Sequence, residues 1–92
     1  MSSVITKEEA RKHVAANLQA ASEKKGVQQA DIARAIQRPD EELQTARQRV
    51  YRYFNALADI VGDDLANIAE FLGVSVDAIL NSRDKKNSRR AG

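Results

Sequence analysis

The chain has 92 residues, no cysteine, one proline, four glycines and 4% aromatic residues, with a formal net charge of +2. That length serves one small domain, because two half-chains would each bury too little surface to be stable, and without cysteine there is neither a disulfide framework nor a thiolate metal site. No run reaches the roughly 20 apolar residues of a membrane span, and Met1–Thr6 lacks a basic region followed by a long apolar run, so a cytoplasmic protein without membrane contact is expected.

Ala, Leu, Glu, Lys, Gln and Arg dominate, a helix-forming composition, and the expected fold class is all-α. Thr6-Lys7-Glu8-Glu9 has the spacing of a capping box, and Ala10, Val14, Leu18 and Ala21 then recur at three- or four-residue steps. Lys24-Lys25-Gly26 gives a basic last turn and a glycine stop, so the first helix is predicted over 7–25. Gln28–Ile36 reads as a short second helix with Ile32, Ala33 and Ile36 facing inward.

Arg38-Pro39-Asp40 breaks that helix, whereas Asp40, Glu41 and Glu42 would suit the first turn of a third. The third helix is predicted to run to about Ala58, starting either at a break near Gln44 with Thr45 as cap or earlier, with its acidic start tilted aside. At 100° per residue from Arg47, Leu43, Ala46, Val50, Tyr53, Phe54 and Leu57 fall between about 240° and 340°, an arc assigned to the core. Arg47, Gln48, Tyr51, Arg52 and Asn55 fall between about 0° and 140°, a continuous polar stripe.

Gly62-Asp63-Asp64 is read as a turn into a fourth helix, Leu65–Leu72, closed by Gly73. Ser75 caps a fifth, Val76–Asn81, with Val74 and Ile79 placed as a hydrophobic staple. Beyond Ser82 nothing apolar recurs, and 83–92 is expected to be a disordered basic tail following a domain over 1–82. The tail holds five bases and one acid, while 1–82 holds 10 bases and 12 acids. Within the domain, Leu43–Ala58 carries Arg47, Arg49 and Arg52 without an acid, and Asp59–Asn81 carries acids without a base, a sidedness found in polyanion-binding proteins.

Catalysis finds no foothold. His13 is the single histidine and has no second ligand at a metal-binding spacing, so it reads as a helix-flank residue. Glu8-Glu9, Asp40–Glu42 and Asp63-Asp64 each stand where a helix begins, which dipole compensation explains without acid–base chemistry. No glycine-rich phosphate loop is present. Neither enzymatic activity, a cofactor nor a metal is expected.

Three segments in order resemble the phage repressor and Cro type of helix-turn-helix domain, the lambda-repressor-like family. The first is Gly26-Val27-Gln28-Gln29-Ala30-Asp31-Ile32-Ala33-Arg34-Ala35-Ile36, similar to that family's second helix. The second is Val50-Tyr51-Arg52-Tyr53, similar to the end of its recognition helix, and the third is Leu65–Leu80, whose Leu72-Gly73-Val74-Ser75-Val76-Asp77-Ala78-Ile79-Leu80 looks like the closing helices. The resemblance covers roughly two thirds of the chain. It implies a five-helix domain in which Gln29 bonds a phosphate and braces the recognition helix, Arg47, Gln48 and Arg52 face base edges, and Asn55 contacts a phosphate. The chain departs from the pattern in its lengthened 37–44 connection and in having Ala56 where a glycine often ends the recognition helix.

Arginine bonds guanine bidentately in the major groove, and glutamine does the same for adenine. The candidate DNA-contacting set is therefore Gln28, Gln29, Thr45, Arg47, Gln48, Arg49, Tyr51, Arg52 and Asn55. The expected function is that of a sequence-specific regulator of transcription, a repressor of the phage or bacterial type acting as a homodimer on a pseudo-palindromic site in double-stranded DNA. An antitoxin that represses its own operon and binds a toxin is one alternative. A helical protein-interaction module is another, separated by its lack of salt-dependent binding to duplex DNA.

Overall fold

Thr6 starts the first helix by the reciprocal bonding its sequence predicts. Its Oγ1 accepts from the Glu9 backbone N–H at 3.1 Å, and its own N–H donates to Glu9 Oε1 at 3.2 Å. The computed structural model describes residues 6–81, so the basic segment 83–92 lies outside the described residues. Five helices follow in order: α1 (Lys7–Lys25), α2 (Gln29–Ile36), α3 (Leu43–Phe54), α4 (Gly62–Leu72) and α5 (Val76–Leu80). Among the described residues there is no strand, and no helix is long and apolar enough to cross a membrane.

α1 ends at Gly26, whose φ of 81° is the left-handed geometry that glycine adopts without a Cβ penalty. α2 begins one residue later than predicted, because Gln28 keeps an extended backbone and serves as N-cap while the Asp31 carboxylate accepts its N–H at 2.9 Å. α4 begins three residues earlier than predicted. Its first turn takes in Gly62, Asp63 and Asp64, where carboxylates meet the positive end of the helix dipole. At α5, Ser75 Oγ accepts from the Ala78 N–H at 3.1 Å, and Val74 packs against the core to which buried Ile79 belongs.

α3 differs from its prediction at both ends. It starts at Leu43 with Glu42 in the N-cap position, so neither Thr45 nor an acidic first turn opens it. It stops at Phe54, four residues short of Ala58, because Ala56 turns left-handed at φ 59°. There the Leu57 N–H donates to Arg52 O at 2.9 Å and the Ala56 N–H to Tyr53 O at 3.4 Å, the two bonds of a Schellman motif. Leu57 is thereby swung off the helix and is 60% exposed, which overturns its place on the core arc. The remaining arc holds: Ala46, Val50 and Tyr53 are buried, with Leu43 and Phe54 packed at the edge.

The core draws on all five helices through Val14, Leu18, Ile32, Ala33, Ile36, Ala46, Val50, Tyr53, Ile68, Ala69, Leu72 and Ile79. α2 and α3 pack most extensively on each other, α1 lies against α3 and α5, and α4 supports α2. Asn17 is buried in the apolar face of α1, and its Nδ2 donates to the carbonyls of Ile79 and Asn81, each at 2.7 Å. These bonds satisfy carbonyls that the end of a short helix leaves without partners. Ala10, in contrast, stays exposed at the rim of a groove lined by Val14, Ala58, Ile60 and Leu80.

Holding an L-residue at positive φ costs about 1–2 kcal/mol, and the greater unfolded-chain freedom of glycine returns only part of that. Ala56→Gly is therefore expected to stabilise the fold by about 0.5–1 kcal/mol. Thermal unfolding checks this through a rise in Tm of a few degrees, and an unchanged or lower Tm would contradict it.

Candidate nucleic-acid interface

The polar stripe of α3 stays in solvent, as its angular separation from the core arc requires. Arg47, Gln48, Tyr51, Arg52 and Asn55 are all exposed. Packing of α2 against α3 sets Gln29 and Ala30 opposite this stripe, and the two helices enclose an open groove lined by Gln29, Ala30, Gln44, Arg47, Gln48 and Tyr51. Tyr51 is 56% exposed, so its ring stands open to solvent in the groove.

Among the described residues, the charges on this face have no ion-pair partner. Arg11, Arg34, Arg38 and Arg49 each lie against a carboxylate, at 2.8, 3.1, 3.3 and 2.9 Å. Arg47 and Arg52 have no ion-pair partner among the described residues, and α3 itself contains no acid. An arginine left unpaired beside amide groups can offer its planar fork to a planar acceptor or a phosphate.

The other candidate residues fall around the groove in different ways. Thr45 is exposed in the first turn of α3, and Gln28 is exposed at the start of α2. Asn55 is the C-cap of α3, and its Nδ2 donates to Tyr51 O at 2.8 Å, so part of its hydrogen-bonding capacity closes the helix. Gln44 lies in the groove although the sequence reading left it out. At about 60° from Arg47 it sits inside the polar stripe, and only the expected helix break near Gln44 hid it.

Arg49 requires a correction. Instead of joining the exposed stripe it is turned to the far flank of α3, its side chain 16% exposed. Its Nε donates to Asp64 Oδ2 at 2.9 Å and its Nη2 to Asp64 Oδ1 at 3.3 Å and to Ile36 O at 3.1 Å, while Nη1 bonds Glu41. Tyr53 Oη donates to Asp64 Oδ2 at 2.6 Å, and Arg38 Nη2 reaches both Asp63 and Asp64. Asp64, at a helix start as predicted, is thus also a buried acceptor shared by α3 and α4.

The network leaves its mark on proton affinities. Burial, reinforced by the hydrogen bond to Asp64, pushes the Tyr53 phenol from 10.0 up to about 12. Burial works against the charge of Arg49, but its bonds to Asp64 and the nearby charge of Glu41 prevail and hold the guanidinium more firmly protonated. The hydrogen bond from Arg38 lowers the Asp63 carboxyl below its ordinary range.

No cluster of His, Cys, Asp or Glu able to hold a metal ion occurs among the described residues. His13 is half-buried on the flank of α1. No protein-family model, no curated protein and no solved structure matches the chain.

Tyr53→Phe removes a donor from a buried carboxylate and is expected to cost about 1–3 kcal/mol near neutral pH. Because the folded-state phenol is raised, its contribution is complete below about pH 10 and is lost as pH climbs toward 12, where the unfolded chain gives up the proton first. Urea unfolding of wild type and variant at pH 8 and near pH 11.5 should therefore show a gap that shrinks with alkalinity. A gap that stays constant would contradict the raised phenol.

Proposed function

We propose that this chain is a sequence-specific regulator of transcription that binds double-stranded DNA through a lambda-repressor-like helix-turn-helix, with α3 as the recognition helix. It acts by binding, without an enzymatic step, as a repressor that pairs with a second copy on a pseudo-palindromic site. One observation carries the reading. Gln29 of α2 and Gln44, Arg47, Gln48 and Tyr51 of α3 converge on one open groove with Arg52 on the same stripe, and among the described residues neither arginine has a carboxylate partner. Glutamine and arginine are the side chains that match adenine and guanine edges with paired hydrogen bonds, and the aromatic ring offers an apolar surface to a thymine methyl group.

Charge distribution supports the same reading. Asp59, Asp63 and Asp64 are paired with Arg11, Arg38 and Arg49, which takes three carboxylates out of the field that an approaching polyanion meets. Outside the groove Leu57, Val61, Val76 and Leu80 are exposed apolar side chains available to a second copy. The dimer supplies the base contacts that one small domain lacks.

Selection of bound duplexes from a random pool should yield a motif with two-fold symmetry. On that site Arg47→Ala and Arg52→Ala should each cost about 1–3 kcal/mol and relax preference at particular base pairs, with a smaller loss on random DNA. Equal losses on both DNAs would mean that the two side chains touch only phosphates. Failure of every duplex to bind in a salt-dependent way would favour a protein partner for the groove.

The basic segment 83–92 adds a separable contribution. Truncation after Ser82 should flatten the slope of log affinity against log salt by about 2 to 4, at about 0.9 per phosphate, and weaken selected and random duplexes alike. An unchanged slope would remove the segment from the interface.

A further inference from the structure

Arg49 is turned away from the groove, yet it ties α3 to the connection before it, to α2 and to α4. Its guanidinium holds Glu41 in the 37–42 connection, the carbonyl of Ile36 in the last turn of α2, and Asp64 in the first turn of α4. The three side chains are withdrawn from water, at 16, 10 and 2% exposure for Arg49, Glu41 and Asp64. Glu41 is fixed in turn: its Oε1 accepts from the Arg38 N–H at 3.0 Å and its carbonyl from Gln37 Nε2 at 2.8 Å.

Residues 37–42 contribute nothing to the buried apolar cluster, so the connection between α2 and α3 is held by charge rather than by packing. Without that pin, the fine placement of α3 on α2 would rest on their apolar contact alone. The groove exists only while Gln29 on one helix stays in register with Gln44, Gln48 and Tyr51 on the other.

We propose that Arg49 is a positioning residue for sequence discrimination. Through Glu41, Ile36 and Asp64 it sets the register of α3 against α2, without itself touching DNA. This rests on the reading of the groove as the DNA-facing surface. Hydrogen bonds to base edges fail with small errors in direction, whereas attraction to phosphates acts over about 10 Å and tolerates them. Loss of the clamp therefore lowers discrimination and leaves the general attraction intact.

Two variants test it. Arg49→Lys keeps the charge and loses the planar fork. The double variant Arg49→Met with Asp64→Leu removes the two charges at the centre of the clamp and abolishes it, at a cost in stability from the partners left at Glu41 and Tyr53. Urea unfolding first establishes the conditions in which each variant is fully folded. Affinity for the selected and a random duplex is then measured there across salt concentrations, with amide hydrogen exchange of 37–42 in the free protein.

Both variants should lose about ten- to a hundredfold on the selected duplex, the size of one base-edge pair, with affinity for random duplex and salt slope unchanged and exchange in 37–42 accelerated. An unaltered ratio of selected to random affinity in fully folded variants would overturn the proposal, leaving Arg49 a stabilising residue only. A salt slope reduced by about 0.9 with parallel losses on both duplexes would also overturn it, by making Arg49 a phosphate contact. If wild type bound no duplex, the DNA reading would fail by itself. Hydrogen exchange would still decide the clamp, with acceleration in 37–42 supporting it and unchanged exchange overturning it.

Discussion

A carboxylate withdrawn from water must be surrounded by donors, and Asp64 is the point at which this fold meets that demand. It is 1% exposed and is met by the fork of Arg49, the phenol of Tyr53 and, at 3.6 Å, the guanidinium of Arg38. Such a pair adds little net stability over a well-packed apolar alternative, but removing one partner costs about 3–5 kcal/mol, because the other is stranded. The network therefore acts as a constraint of geometry: α3 can occupy only the placement in which Arg49 and Tyr53 both reach the first turn of α4.

The parts of the fold legible in the sequence are those decided within one turn of chain. Thr6 with Glu9, Gly26, Gly73, and Ser75 with Val74 and Ile79 are local devices, and each ends or begins a helix where its chemistry dictates. The ends of α3 are different. Glu42 opens it without a side-chain cap, and Ala56 closes it in a conformation that alanine avoids. Neither boundary carries a residue type that favours it, so propensity misplaced them and Leu57 with them. Asn17 carried a signal that could have been read, since its spacing from Val14, Leu18 and Ala21 puts it in the middle of the apolar stripe, where a polar residue implies a buried partner.

For the candidate interface the helical periodicity separated stripe from core except at Leu57, which lies past the helix end, and composition marked α3 as basic. What periodicity lacks is any knowledge of partners. Arg49 stands on the same helix as Arg47 and Arg52, and although its angle of about 200° sets it between the stripe and the core arc, spacing alone does not say what it pairs with. Its decisive neighbour is 15 residues downstream. Asp64 was equally opaque, because a carboxylate in a first turn already has a sufficient local explanation in the helix dipole.

Asn17 also bears on the order in which the protein is made. α5 has five residues, too few to persist as a helix alone, and the carbonyls at its end are held from α1 across 62 and 64 residues of chain. The core that α5 completes with Ile79 thus cannot close while the ribosome still shelters that stretch. Folding is consequently completed after the last helix emerges, and a nascent chain halted before residue 79 carries the exposed apolar face of α1 that Ile79 would have covered.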